Sequence, residues 1–124
     1  MVKKKILIAD DEPSIRLLIA TILGVNYDVT EAKDGQEAVD IATQEKPDLI
    51  LLDIMMPNVD GYTACTIIKT NPETMSIPVV MLTGVGYELN RRLAEKVGSD
   101  AYVTKPFTRQ DLLAIVGRLL PPDN

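Results

Sequence analysis

The chain has 124 residues, of which 46% are hydrophobic and 25% are charged, and it carries a net charge of −5. This composition is typical of one globular domain rather than a disordered chain, and the acidic balance disfavours sequence-independent binding to a nucleic-acid backbone. The absence of histidine and the single cysteine, Cys65, exclude a serine–histidine relay, an internal disulfide and a zinc cluster of thiolates. No apolar run approaches the ~20 residues of a membrane span or forms a signal-peptide core, so we expect a cytoplasmic protein.

An apolar run, a polar break and an amphipathic run recur five times along the chain. The first apolar run, residues 5–9, is hydrophobic at consecutive positions, as is typical of a parallel strand covered on both faces. Pro13 fits the first turn of the following helix, which Gly24 ends. The apolar spacing of this helix is carried by Ile15, Leu18, Ile19 and Ile22.

The strands predicted for the second and third units differ in polarity. Residues 27–32 alternate apolar and polar side chains, which indicates an edge strand, whereas residues 48–53 form the most apolar run and predict the central strand. Asp34, followed three residues later by Glu37, resembles a capping box for the second helix. The apolar face of that helix is predicted to consist of Ala38, Ile41 and Ala42.

The remaining elements follow the same pattern. Residues 79–83 and 100–104 predict the fourth and fifth strands, Gly98 ends the fourth helix, and Thr108 with Asp111 caps the fifth. The last three helices are predicted from apolar residues at helical spacing: Ala64, Ile67 and Ile68; Leu89, Leu93 and Val97; and Leu112, Ile115, Val116 and Leu119.

Five alternating units predict an α/β fold with a parallel sheet and helices on both faces. Right-handed crossovers leave few topologies, and the common five-stranded solution has the strand order 2-1-3-4-5. This order assigns an edge position to the second strand, which is the more polar one. We expect one domain over residues 1–120, followed by a C-terminal tail at 121–124.

Polar residues stand where four of the predicted strands end: Asp10 and Asp11, Asp53, Thr83 and Lys105. The carboxyl ends of parallel strands share one edge, where ligands bind in such sheets. Because neighbouring strands lie about 4.8 Å apart, the three carboxylates converge there and repel one another. A hard divalent cation relieves this repulsion, and with oxygen ligands only we expect Mg²⁺, with Mn²⁺ or Ca²⁺ as further candidates.

The placement of Asp53 favours phosphoryl chemistry. A phosphoryl group on Asp53 would contact the metal on one side and Lys105 on the other, and Thr83 could donate a hydrogen bond to a third oxygen. The charges of the three carboxylates, Mg²⁺ and Lys105 cancel. Carboxylates are known phosphoryl acceptors, and Asp10 and Asp11 are poorer candidates because no cation lies beyond them.

These motifs resemble those of the receiver domains of two-component response regulators, over nearly the whole chain. The resemblance rests on Asp10-Asp11, on Asp53 within LLDIMMPNVDG, on Thr83-Gly84, and on Lys105-Pro106-Phe107. It implies a flavodoxin-like (βα)5 three-layer sandwich and a single-domain signalling switch similar to the chemotaxis regulators. Such a switch catalyses its own phosphorylation and dephosphorylation and is not a metabolic enzyme.

The resemblance also implies which residues bind the metal. Asp53 would be the phosphorylated residue. Asp11 and Asp53 would bind Mg²⁺ (or Mn²⁺) directly, Asp10 would bind it largely through water, and the backbone carbonyl of Met55 would complete the protein ligands.

Further roles follow from the same resemblance. Lys105 would contact the phosphoryl group, Thr83 and Tyr102 would form a switch pair, and the bond between Lys105 and Pro106 would be a cis peptide. The surface of the fourth helix, the fifth strand and the fifth helix would then change on phosphorylation.

The resemblance implies other proteins as partners. The phosphoryl donor would be a phosphohistidine on a sensor histidine kinase or a histidine phosphotransfer protein, and this donor must be on another chain because this one has no histidine. The output would pass to a downstream effector protein or a fused output domain. We expect a monomer or a phosphorylation-dependent dimer, with no direct contact to nucleic acid or membrane.

Each motif taken singly also has an ordinary interpretation. The acid pair can start a helix, Asp53 can cap a turn, Lys105 can be solvated, and Tyr102 and the Met55-Met56 side chains can simply pack. Three other classes compete with a receiver. A pseudo-receiver docks without phosphorylation but is expected to lack an acid or the lysine, an aspartate-nucleophile phosphatase needs an acid where Met55 stands, and a flavin protein needs a neutral phosphate loop after the first strand.

Overall fold

The computed structural model describes residues 3–84, 92 and 95–120. The strands are β1 (Lys5–Ala9), β2 (Asp28–Ala32), β3 (Leu49–Asp53), β4 (Val79–Thr83) and β5 (Ala101–Thr104). The helices are α1 (Pro13–Leu23), α2 (Gly35–Glu45), α3 (Gly61–Thr70) and the C-terminal helix (Arg109–Leu119). Most of the predicted fourth helix, including Leu89 and Leu93, and the predicted tail at 121–124 lie outside the described residues.

The five strands form one parallel sheet in the order β2-β1-β3-β4-β5, so the predicted topology is confirmed. The central strand is β3, every residue of which is buried. β2 lies at one edge and is largely exposed or half-buried, as its alternating sequence predicts. The order brings the ends of β1 and β3 side by side, and that of β4 next to β3.

The core has two parts, one on each face of the sheet, which gives the predicted three-layer sandwich. On one face, α2 and α3 pack against β1, β3 and β4 through Ala38, Ala42, Ala64, Cys65 and Ile68. On the other face, α1 and the C-terminal helix contribute Ile19, Ile22, Leu23, Leu112 and Val116. Cys65 is an ordinary buried core residue, and burial raises the pKa of its thiol to about 11. No helix in these described parts of the chain is both long enough and apolar enough to cross a membrane.

Three strands begin one residue later than predicted. The Tyr27 N–H donates to the carbonyl of Leu23, so Tyr27 still belongs to the turn that ends α1. Asp48 and Asp100 instead use their carboxylates to accept hydrogen bonds from the first N–H groups of the neighbouring strands, those of Lys5 and Val79.

The helix caps differ in how completely they form. In the C-terminal helix, Thr108 and Asp111 make both bonds of the predicted capping box. At the start of α2 the prediction is half wrong: Asp34 accepts from the Glu37 N–H, but the Glu37 carboxylate accepts from the N–H of Lys33 rather than from that of Asp34.

Two predicted apolar positions face outward. Leu18 is 47% exposed and Ile67 is 40% exposed. In α1 the buried face is formed by residues 19, 22 and 23, and in α3 it is formed by residues 61, 64, 65 and 68. Leu18 and Ile67 flank these faces, because a helix advances about 100° per residue and the neighbouring positions already fill the groove against the sheet.

The amino-terminal edge of the sheet is held by one lysine. The Lys69 ammonium group, at the end of α3, donates to the carbonyls of Met75 and Ile77 and lies 2.7 Å from a carboxylate oxygen of Asp100. The same Asp100 oxygen accepts from the Val79 N–H at the start of β4. This network ties α3, β4 and the start of β5 together at the edge opposite the predicted site.

Candidate functional site

Four predicted site residues stand at the carboxyl ends of strands. Asp10 follows β1, Asp53 is the last residue of β3, Thr83 is the last residue of β4, and Lys105 follows β5. The parallel register brings these ends to one edge. Each of these strands is largely apolar, and the polar residue at or just after its end lies at the carboxyl edge of the sheet.

Lys105 joins the two buried carboxylates of this edge. Its Nζ lies 3.0 Å from Oδ2 of Asp10 and 3.2 Å from Oδ1 of Asp53. Asp10 is fully buried, the side chain of Asp53 is 8% exposed, and that of Lys105 is 23% exposed. The partly exposed Lys105 ammonium group therefore forms ion pairs with two buried carboxylates.

Asp10 is held from several directions. Its Oδ1 accepts from the backbone N–H of Glu12 at 2.9 Å, and its own N–H donates to the carbonyl of Ala32. The guanidinium group of Arg16 donates to the Asp10 carbonyl at 2.7 Å and to Glu31 at 3.2 Å. These bonds fix the turn between β1 and α1.

The titration of Asp53 reflects its surroundings. Burial raises the pKa of Asp53, the negative charge of Asp10 raises it further, and Lys105 and the Met55 backbone N–H partly oppose them, so the pKa is about 6. Burial lowers the pKa of Lys105, but the hydrogen bond to Asp10 and the charges of Asp53 and Asp10 outweigh this, so its pKa is raised. The ammonium group is therefore firmly charged, while the two carboxylates have more negative charge than it neutralises.

A second group of acids opens onto solvent beside this pair. One carboxylate oxygen from each of Asp10, Asp11 and Glu12 lies within 4.8 Å of the others, and Asp11 and Glu12 are exposed. These donors are oxygen atoms, and one of them belongs to a buried carboxylate that needs further positive charge. The donor set fits a hard divalent cation such as Mg²⁺.

The loop after β3 places Met55 next to Asp53. The backbone N–H of Met55 lies close enough to the Asp53 carboxylate to lower its pKa. The side chain of Met55 is 77% exposed, so the interpretation that it simply packs is wrong, whereas Met56 does pack against the core.

Thr83 and Tyr102 lie on the same face of the sheet. Thr83 is paired with Thr104, two residues beyond Tyr102, and side chains two residues apart on a strand share a face. Thr83 is buried, and Tyr102 is half-buried against the core beneath α2 and α3. The Lys105 N–H donates to the Thr83 carbonyl at 2.7 Å, and the Lys105–Pro106 peptide bond is cis.

Sequence reasoning missed three contacts of this site. It assigned Lys105 to a phosphoryl group on Asp53 but not to Asp10, it did not include Glu12 among the metal-binding acids, and it gave Arg16 no role. Only Arg16 carries a usable signal, because a cation in the first turn of a helix that follows three acids is badly placed for the helix dipole and so indicates a local partner.

Comparisons with known proteins show which chains and folds this one is similar to. The chain is 42% identical to a probable transcriptional regulator, ycf27, of Guillardia theta over 98% of its own length, and it covers 47% of that protein. A putative response regulator from Chloroflexus aurantiacus superimposes with a TM-score of 0.91 at 30% identity, over 94% of this chain and 97% of that one. The chain thus spans about half the length of the curated relatives it matches.

A further similar structure is described with a bound metal ion. The receiver domain of the sensor histidine kinase PA1611 from Pseudomonas aeruginosa, described with a magnesium ion coordinated in the active site cleft, superimposes with a TM-score of 0.88 at 31% identity, over 95% of this chain and 98% of that one. A family model for the response regulator receiver domain matches residues 6–117. The chain is therefore a member of the receiver domain family of two-component response regulators.

Proposed function

We propose that this domain accepts a phosphoryl group on Asp53 in a Mg²⁺-dependent reaction and that the modification alters the surface around β5. The proposal rests on the Lys105 ammonium group, which lies within 3.2 Å of Asp53 and 3.0 Å of Asp10 at the edge where the strands end. We take residues 1–120 as the receiver unit. The extent of the family match, residues 6–117, supports this boundary.

Asp53 is the best acceptor among the acids of the site. Its Oδ1 contacts Lys105, so a phosphoryl group on its other oxygen would find a cation within reach for its developing charge. Asp10 has both carboxylate oxygens engaged by Lys105 and the Glu12 N–H, which leaves it poorly suited to attack phosphorus. This engagement also supports contact between Asp10 and the metal through water.

Asp11, Asp53 and the Met55 carbonyl would hold Mg²⁺ or Mn²⁺, with Asp10 behind them. When bound, the ion neutralises carboxylate and phosphoryl oxygens, which is its usual role in phosphoryl transfer. The exposure of Asp11 and the magnesium ion described in the similar PA1611 receiver domain support this assignment.

The donor would be a phosphohistidine on a sensor histidine kinase or a histidine phosphotransfer protein. In the transfer, an Asp53 oxygen forms a bond to phosphorus while the bond between phosphorus and the imidazole nitrogen breaks, and the nitrogen keeps the electron pair. Lys105 stabilises the charge on the phosphoryl oxygens. Hydrolysis of the resulting acyl phosphate returns the carboxylate and releases inorganic phosphate, so the domain catalyses both halves of its own cycle.

Thr83 and Tyr102 would carry the change to the output surface. A phosphoryl group adds about one unit of negative charge to the site, which favours a hydrogen bond from the Thr83 hydroxyl. Movement of Thr83 changes the packing available to Tyr102, because both lie on one sheet face. The partner that reads this surface would be a downstream effector or an output domain joined to the receiver, as the transcriptional-regulator relative suggests.

Incubation with Mg²⁺ and a small acyl-phosphate donor, followed by intact-mass measurement, tests the proposal. We expect the wild type to gain one phosphoryl unit and Asp53→Asn to gain none. Asp28→Asn, at the exposed start of β2, is the control and should behave as the wild type. Omission of Mg²⁺ should abolish the gain.

A wild-type protein that never gains the phosphoryl mass with any donor would contradict the proposal. It would favour the alternative of a pseudo-receiver that docks without phosphorylation. A phosphoryl unit found on Asp53→Asn would instead place the acceptor elsewhere.

A further inference from the structure

The loop between β3 and α3, residues 54–60, is tied to the start of α2 by one carboxylate. Asp34 Oδ2 accepts from the side-chain amide of Asn58 at 3.0 Å, while Asp34 Oδ1 accepts from the Glu37 N–H at 2.8 Å. Asp34 is largely buried between the helix and the loop. The same side chain therefore caps α2 and binds the loop that carries Met55.

The backbones of α2 and the loop also make close contact. A methyl group added to Gly35 would lie 1.7 Å from the carbonyl oxygen of Val59 and 2.9 Å from its Cβ. Val59 packs against the core beneath α2 and α3. Only a glycine at position 35 allows this approach, so the loop is held against the helix start on two adjacent residues, 58 and 59.

Asn58 adopts an uncommon backbone conformation at this contact. Its φ of 68° lies in the left-handed region, which asparagine tolerates better than most residues. The first residue of the loop is bound to the start of α3, because the Gly61 N–H donates to the Ile54 carbonyl at 2.8 Å. The path of the chain through Met55 is thus set between one anchor on α3 and one on α2.

The charge of Asp34 suits the role of an acceptor. The Glu37 N–H lowers the pKa of Asp34, burial opposes it, and the Asn58 amide and the charge of Lys33 add to the lowering, so the pKa lies below its ordinary value. Asp34 is therefore ionised at neutral pH and accepts both hydrogen bonds as a carboxylate, which strengthens them.

We infer that Asp34 and Asn58 are positioning residues for the phosphoacceptor site, because their hydrogen bond and the Gly35–Val59 contact fix the loop that presents the Met55 carbonyl to Mg²⁺. This inference rests on the proposed function for its effect on metal binding. Within the described parts of the chain, neither residue has a hydrogen bond or ion pair with Asp53, and both act through the backbone of residues 55–59.

Three variants distinguish this positioning role from the effects of net charge and of capping α2. Asn58→Asp keeps a residue that tolerates the left-handed region but sets two carboxylates against each other. Asp34→Ser keeps a helix cap but is too short to reach Asn58. The double variant Asp34→Asn with Asn58→Asp reverses donor and acceptor and has the net charge of the wild type. Asp40→Asn, on the exposed side of α2, is the control for loss of a nearby charge.

Calorimetric titration with Mg²⁺ at neutral pH measures the effect. We expect Asn58→Asp and Asp34→Ser to weaken Mg²⁺ binding about tenfold, the scale seen when partners of metal ligands are removed. The double variant should return to within about twofold of the wild type, and Asp40→Asn should stay there. The sign is informative for Asn58→Asp, since its added negative charge alone would tighten cation binding.

Wild-type affinity in both single variants, or a double variant as weak as Asn58→Asp, would overturn the inference. Amide hydrogen exchange of residues 54–60 without metal gives a second readout, with faster exchange expected in the single variants and wild-type exchange in the double. If the wild type binds no Mg²⁺, the proposed function fails and the metal-positioning role with it. Exchange then decides whether the loop is held as described, and unchanged exchange in the single variants overturns that as well.

Discussion

Asp53 is buried and shares one lysine with a second buried carboxylate, and this environment shifts its pKa. Its pKa of about 6 in the metal-free protein lies above the ordinary value of 3.8, chiefly because of burial and then because of Asp10. A raised carboxyl pKa means that folding favours the protonated form. The contribution of Asp53 to stability is therefore greatest at acidic pH and is lost as the pH rises from about 4 to about 6.

We therefore expect Asp53→Asn to be more stable than the wild type above pH 6 when a chelator is present. The amide keeps the shape of the side chain and removes the charge, and the gain should be about 1 to 2 kcal/mol after allowance for solvent screening. The gain should shrink as the pH falls from about 6 towards 4, because Asp53 in the folded protein becomes protonated over this range. Urea unfolding at a series of pH values measures the difference, and a gap that stays constant across the series would count against this account.

The sequence predicted which residues stand at this edge, but not how they pair. Asp10, Asp53, Thr83 and Lys105 each follow an apolar strand, and strand order alone brings such ends together. The contact of Lys105 with Asp10 depends on where a flexible four-carbon side chain settles, and residue spacing carries no information about that. The link from Asn58 to Asp34 was missed for a similar reason, since it joins two loops that only the folded sheet brings together.

At the level of elements, two glycines differ in whether the space beside them could hold a side chain. A methyl group on Gly61, at the start of α3, would lie 2.1 Å from the Asp53 carbonyl oxygen, whereas one on Gly117 in the C-terminal helix would meet no atom within 4 Å. The first glycine permits α3 to start against the end of β3. The second leaves an exposed helix position with unnecessary backbone freedom.

The same substitution should therefore have opposite effects at these two sites. We expect Gly61→Ala to destabilise the fold by about 2 kcal/mol, because backbone must move to admit the methyl group. We expect Gly117→Ala to stabilise it by about 0.5–1 kcal/mol through helix propensity. Thermal or urea unfolding of both variants gives the comparison, and shifts of the same sign would refute the packing argument.

Strands were easier to predict than helix faces. β4 has the predicted bounds, since five apolar or β-branched residues buried on both sides leave no other register. Leu18 and Ile67 were assigned to buried faces because they fit helical spacing. Helical spacing is compatible with several neighbouring apolar faces, and packing against the sheet decides which one is buried. In α3 the buried face includes Cys65 and not Ile67.

At the scale of the whole molecule, one sheet face links the edge that carries Asp53 to β5. Thr83 is buried at the end of β4, and Tyr102 lies on the neighbouring strand on the same face. A change in the Thr83 side chain can reach β5 directly, because the two strands are paired and the Lys105 N–H binds the Thr83 carbonyl.

We expect Thr83→Ala to accept the phosphoryl group but to transmit it poorly. With Mg²⁺ and an acyl-phosphate donor, the variant should gain phosphoryl mass while the amide NMR shifts of β5 and the C-terminal helix change far less than in the wild type. Thr104→Ala, which removes an exposed hydroxyl from the paired strand, is the matched control. Equal shift changes in Thr83→Ala and the wild type would reject the coupling.

The Lys69 network lies at the opposite edge of the sheet from all of this chemistry. It satisfies its lysine and aspartate within the protein and joins α3 to β4 and β5, whereas the exposed Met55 side chain sits at the reactive edge with 77% of its surface in solvent. Architecture and signalling thus depend on different residues. An exposed side chain such as Met55 can therefore be exchanged without disturbing the distant Lys69 network that preserves the scaffold.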